Sequence, residues 1–263
     1  MKRCIGLLLF FSALSNAGEF SSVVSPVDGC SGDFFTQKAR IFNVVTICAT
    51  SSVPQDKLKH AANVTAQWLD NDQNGQMDEP NIIEPLQNNH ATLLMSQSGF
   101  SDEAFEKLEP YFSHMIGQDL SADETAPSFG RDASQEEIHH LIVNAGWQPY
   151  LPMVFSDKSA KKSDLYKQWQ LAEQRGWYSY DDPTCDDACK TVEFFYLATA
   201  AYLGSSVDLK SDEMRIKSQK ELKHLLPDLV SLMESERYHY PTHMWPDGQY
   251  RYPGNITLTS QVE

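Results

Sequence analysis

The chain has 263 residues, 41% of them apolar and 22% charged, which is enough to bury a core and excludes a wholly disordered, collagen-like or coiled-coil chain. Lys+Arg is 21 against Asp+Glu 36, a formal net charge of −15, which repels nucleic-acid phosphates and anionic lipid unless a local basic patch exists. The one basic cluster (Lys158, Lys161, Lys162 and Lys167) sits among Asp157 and Asp164 and reads as a solvated face, so no nucleic-acid partner is expected.

In chain order, the first element is a targeting segment. Lys2 and Arg3 precede an apolar run over residues 5–14, too short to span a bilayer, and Ser15-Asn16-Ala17 places small residues at a cleavage point. This predicts a signal peptide over residues 1–17, a mature chain from near Gly18 and a secreted product with no membrane span. Cys4 leaves with the leader. Cys30, Cys48, Cys185 and Cys189 remain, and an even number in an exported chain reads as disulfides. Three pairings exist. Cys30–Cys48 with Cys185–Cys189 is favoured, because one helical turn brings residues four apart within bridging distance. A zinc site at Cys185 and Cys189 is the rival. Asn63-Val64-Thr65 and Asn255-Ile256-Thr257 match the glycosylation acceptor pattern, which predicts a glycoprotein in a eukaryotic secretory pathway.

Residues 43–49 (NVVTICA) are β-branched and apolar, hence a buried strand. Pro54 opens a helix through about Leu69, and Pro80 starts a short second one. Residues 91–96 (ATLLMS) read as another buried strand, residues 101–108 as a helix ended by Pro110, and residues 115–120 as a third strand. Helices are then predicted over 134–145, 163–175, 187–203, 211–226 and 227–236. From Tyr238 onward, Pro, Gly and aromatics predict an extended tail packed over the body. His239 and His243 in it are spaced i,i+4, but Pro241 between them argues against a shared helical face. The fold class expected is α+β and predominantly helical: a small mixed sheet in the N-terminal half and a helical C-terminal half. Residues 18–263 read as a single globular domain with an α/β part (18–130), a helical part (131–237) and the tail (238–263).

Between the first two helices lies Asp70-Asn71-Asp72-Gln73-Asn74-Gly75-Gln76-Met77-Asp78. It resembles an EF-hand calcium loop. Calcium takes six to eight oxygens, and side chains at loop positions 1, 3 and 5 converge if the chain turns sharply, as Gly75 at position 6 permits. The resemblance implies that Asp70, Asp72 and Asn74 are ligands, that Gln76 gives its backbone carbonyl, and that Asp78 binds directly or through water. Position 12 departs: Asn81 stands where a bidentate Glu is usual, with Glu79 and Glu84 as substitutes. A weak extracellular calcium site follows, acting as a staple. The alternative is an Asp/Asn-rich turn before a helix.

Glu193 is the one charged residue in residues 191–204 (TVEFFYLATAAYLG). A helix apolar all round is buried, and a carboxylate there must be paired, protonated or metal-bound. An ion pair with an Arg, exposure at the helix's first turns, and a metal or catalytic role are the three readings. In residues 134–140 (SQEEIHH), Ile138, Leu141, Ile142 and Ala145 form one stripe, while Glu136, His140 and Val143 lie opposite. That second face, extended by Trp147, should meet a second layer or a cleft. Ser134 and Glu137 also fit a capping box.

The E-E-x-x-H of Glu136 to His140, with Glu193 on a later helix, resembles the gluzincin-type zincin metallopeptidases, which carry H-E-x-x-H and a later Glu. The resemblance implies Glu136, His140 and Glu193 as ligands of zinc (or of manganese or iron, the set being oxygen-rich), with Glu137 activating water for hydrolysis of a peptide substrate. The departure is Glu136 at the first motif position. The segments QWLDNDQNG, DPTCDDACKTVEFFY and PTHMWPDGQY further resemble exported proteins of no assigned function. No phosphate loop, nucleophile elbow or dinucleotide fingerprint occurs. Two functions are therefore expected to compete: a secreted, calcium-binding, metal-dependent hydrolase, and a non-enzymatic extracellular module, held by calcium and disulfides, that binds an extracellular partner.

Overall fold

A computed structural model describes residues 19–23 and 26–260; the predicted signal peptide lies outside them. The chain is α+β, 45% helix and 12% strand, with one small mixed five-stranded sheet and mostly helices after residue 130. It divides into two compact units. Within the described residues these are 19–146 with 246–260, and 147–245.

The first unit holds the sheet, ordered β4-β3-β2-β1-β5. Strands β1 (Phe35–Ile41) and β2 (Val45–Thr50) form an antiparallel hairpin. Its turn needs positive φ at Phe42 (49°) and Asn43 (58°), the twist that short hairpin turns favour. β2 pairs in parallel with β3 (Thr92–Ser96), and β3 with β4 (Gly117–Ser121). The parallel pairs require crossovers. Helix α1 (Gln55–Leu69) and short α2 (Ile83–Asn88) lie between β2 and β3, and α3 (Asp102–Leu108) between β3 and β4. Phe34, Phe35, Cys48 and Leu94 pack with Ala104 and Leu108 on the α3 face. Helix α4 (Ala133–Ile142) packs on α1 and on β4 and β3.

Two strands are absent from the sequence reading. β1 (FTQKARI) is an inner strand, where the buried polar Gln37, donating to Thr50 O (2.9 Å) and Val53 O (2.7 Å), breaks the apolar side of its period-2 pattern. β5 (Ile256–Ser260) lies in the supposed extended tail and pairs antiparallel with β1, Arg40 opposite Thr257. Its own side chains are largely exposed, so pairing rather than burial makes it a strand. The tail is tied to α1 before that. Gln67, fully buried, accepts from the backbone of Asp247 (3.0 Å) and Gly248 (2.8 Å) and donates to the Asp247 carboxylate (2.7 Å). Gly248 has φ +75°, and a Cβ there would meet the His60 ring at 2.2 Å, so no other residue fits.

The second unit is helical. A π-helical turn (Val143–Trp147) continues α4, a feature that often accompanies function. Then come α5 (Gln148–Tyr150), α6 (Pro152–Phe155), α7 (Asp164–Gln174), α8 (Asp187–Leu203), α9 (Gln219–Leu225) and α10 (Pro227–Met233). Trp147, Phe155, Phe195 and Tyr240 stack with ring centroids 4.8 to 6.1 Å apart, each burial contributing about 1.5–3 kcal/mol. The helix predicted over 211–226 is only its second half. Met214 instead forms a bridge with Tyr178, and Ser218 caps α9 by accepting from Glu221 N.

Both favoured disulfides form. Cys30–Cys48 (Cα–Cα 5.7 Å) fastens the N-terminal segment to β2, and Cys185–Cys189 (5.3 Å) closes the first turn of α8. Among the described residues no helix is long and apolar enough to cross a membrane.

Candidate metal centres

The Asp70–Asp78 loop follows α1 directly. One ligand oxygen each from Asp70, Asp72 and Asp78 lies within 4.8 Å of the others. The loop folds on its own backbone: Asp70 accepts from Asn74 N (2.9 Å) and Gly75 N (2.9 Å), and Asp78 from Asn71 N (2.8 Å). Gly75 takes φ +92°, the sharp turn that position 6 demands. Asn74 Oδ1 accepts from Gln76 N (2.9 Å). At position 12, Asn81 donates through N and Nδ2 to Glu79, which caps the 3-10 turn Pro80–Ile82. Two residues of the tail complete the loop, a contribution the sequence reading missed. Tyr250 Oη donates to Asp70 (2.5 Å), and Asn255 Nδ2 donates to Gly75 O (3.0 Å) and Tyr250 Oη (2.8 Å). An all-oxygen donor set on a tight turn fits calcium.

Of the two asparagines that match the acceptor pattern, Asn255 bonds as above and Asn63 Nδ2 donates to Gly248 O (2.8 Å), so both amide nitrogens serve the fold.

The second candidate is α4. All ten of its residues are buried, which agrees with the expectation that both faces are covered. Trp68 of α1 lies against His139 (centroids 5.1 Å) and donates to Gln135 O (3.0 Å). On the sheet side, Gln118 of β4 donates to Glu137 Oε2 (2.5 Å). The capping box does not form. Asp132 is the N-cap instead, accepting from Ser134 N (3.1 Å) and Ser134 Oγ (2.6 Å), and it pairs with His60 of α1 (2.6 Å). Glu137 is thereby free of a capping role and turned to β4.

Glu136 and His140, one turn apart and both buried, have ligand atoms within 4.8 Å of each other. Arg131 reaches Glu136 Oε2 at 2.5 Å. Burial, then the Arg131 charge, pushes the His140 imidazole down to about pKa 3, so it stays neutral, the form that ligates metal. Glu137 lies 3.9 Å from His140 Nδ1. Burial, then the charges of Glu136 and Asp119, raises the Glu137 carboxyl well above its usual range. Burial likewise raises Asp119 to about 6, aided by Glu124.

Glu193 stands in the second unit, on α8, and is buried at 6% exposure. The reading of it as solvated at the helix's first turns is therefore excluded. Asp186 caps α8 through Ala188 N and Cys189 N (both 3.1 Å), and Phe194 packs edge-on to Tyr178 (5.5 Å). Burial and then the charge of Glu193 raise the Tyr178 phenol above its ordinary range. Of the remaining sequence candidates, His239 and His243 are exposed and no helix forms over 239–243. Cys185 and Cys189 are bonded to each other rather than holding zinc. Compared with protein-family models, curated proteins and solved structures, the chain finds no match.

Proposed function

We propose that the chain is a secreted calcium-binding protein with a zincin-like metal centre built on Glu136 and His140, and that it hydrolyses a peptide or similar amide. The observation that carries this reading is the α4 pair. Glu136 and His140 sit one turn apart, buried and within shared-ligand distance, with the imidazole neutral. Each of these two buried side chains can offer one ligand atom, a nitrogen–oxygen pair suited to zinc, manganese or iron. A metal held there supplies Lewis acidity to a carbonyl and makes water more acidic. Glu137 is the base: burial makes its carboxylate more basic than usual, and Gln118 fixes its Oε2. Arg131 offsets the charge that Glu136 brings into the interior.

Calcium at Asp70, Asp72 and Asp78 staples the end of α1 to the tail, supported by their convergence and by Tyr250 and Asn255 closing over the loop. Export is supported by the two disulfides, which persist in oxidising compartments.

One observation favours the second reading, a non-enzymatic extracellular module. Arg131 already binds the Glu136 oxygen that a metal would take. Metal analysis of the exported protein after mild dialysis separates the two. Stoichiometric transition metal, lost in His140→Ala and in Glu136→Gln, is the result expected of the metal centre. Calcium alone, with neither substitution changing the metal content, would overturn it.

A further inference from the structure

The helical unit carries a groove of about 360 Å³ between α6, α7, α10 and residues 237–238. This is within the range of small-molecule sites. Three of its lining residues offer apolar surface. Leu232 and Tyr238 are buried, Val154 adds a third surface, and the Tyr238 hydroxyl donates to Leu232 O (2.7 Å), which leaves the ring as its contribution. At the rim, Lys167 and Asp164 neutralise each other at 3.0 Å.

Three polar groups on the groove are not accounted for in this way. Among the described residues, the Arg237 guanidinium and the Asp228 carboxylate make no ion pair or side-chain hydrogen bond, although they carry opposite charges and line the same groove. The third is Gln168 Oε1, which is buried and has no hydrogen-bond partner. A buried acceptor without a donor costs about 1–3 kcal/mol and invites one. An inorganic anion would answer Arg237 alone, and a metal ion would leave Arg237 unanswered. A hydrocarbon would answer none of the three.

We propose that this groove binds a free α-amino acid with an apolar side chain. The carboxylate meets Arg237, the ammonium meets Asp228 and Gln168 Oε1, and the side chain lies on Val154, Leu232 and Tyr238. The inference is independent of the metal centre, because every residue named belongs to the helical unit and none to the ligand sets.

Calorimetric titration of the full processed protein with L-leucine tests it, with N-acetyl-L-leucine and L-leucinamide as probes that lack one charge each. Saturable one-to-one binding of leucine is expected, with each blocked form about tenfold weaker or worse, as for lost charge-assisted hydrogen bonds. Arg237→Met should weaken leucine by a similar factor and erase its advantage over leucinamide. Asp228→Asn should do the same relative to N-acetyl-leucine. Both residues are exposed, so the variants should keep the wild-type far-UV circular dichroism. Gln168→Leu provides a further check from the buried side and should also weaken leucine. Absence of saturable binding at millimolar leucine overturns the proposal. So do equal affinities for the three compounds, or folded Arg237→Met and Asp228→Asn proteins that bind leucine unchanged.

Discussion

The Asp70–Asp78 loop and the α4 cluster lie in the same unit and are both rich in carboxylates, yet they are stabilised in opposite ways. The loop buries Asp70, leaves Asp72 exposed and satisfies its acids locally: Asp70, Asp72 and Asp78 accept mainly from backbone amides a few residues away. The α4 acids are buried, and their partners are side chains rather than amides, Gln118 of β4 and Arg131 of the preceding loop. Burial raises Glu137 and Asp119. Acids that a loop organises for itself are held converged by its own amides. Acids that a core organises stay charged only where a counter-ion is supplied.

The largest effect that would sharpen this contrast is expected at Arg131. Replacing it with Met leaves the buried Glu136 carboxylate without its guanidinium, and removing one partner of a buried pair costs about 3 kcal/mol. Chemical denaturation of Arg131→Met and of the double variant Arg131→Met/Glu136→Gln measures it. The double variant should recover most of the loss, and a single variant as stable as wild type would break the contrast.

At the loop, the expected effect comes from the ion. Calcium at about a hundred times its dissociation constant stabilises by about 2.7 kcal/mol. Thermal unfolding with calcium and with chelator should show this gain in the native protein and lose it in Asp70→Asn. A transition temperature indifferent to calcium would remove the loop's side of the comparison.

Asp119 gives a pH signature. Its folded pKa of about 6 lies above the ordinary 3.8, so the folded state holds the proton between those values. Its contribution is full below pH 3.8 and is lost as pH rises through about 6. Asp119→Asn should therefore be more favourable, relative to wild type, at pH 7 than at pH 4. Equal differences at the two pH values would mean that Asp119 does not titrate in this way.

The smallest effect is at the loop's lid. Tyr250→Phe removes the hydrogen bond to Asp70 and should cost about 1 kcal/mol. It should also weaken calcium binding modestly without affecting transition-metal content.

Some of this was legible in the sequence because it is local. Pro54, the β-branched run before it, the Ser163 cap of α7 and the DNDQNG turn each dictate their own neighbourhood within a few residues. The four-residue spacing of Cys185 and Cys189 needs only one helical turn. The uninterrupted apolar stretch around Glu193 could end only in burial, since a helix without a polar face has no side to offer water. What the tertiary structure decided is long-range. β1 hid behind the polar Gln37 on its buried side, and β5 became a strand only because the edge of β1 was open to it. Glu137, which the local pattern gave to a capping box, was released when Asp132 took the N-cap through His60 and Ser134 and when Gln118 arrived from β4. Tyr250 and Asn255 closed the loop from 180 residues downstream of Asp70 and Gly75. Spacing along a chain fixes which groups can share a turn. Whether a buried carboxylate is a cap, a base or half of an ion pair depends on which distant donor the fold delivers to it.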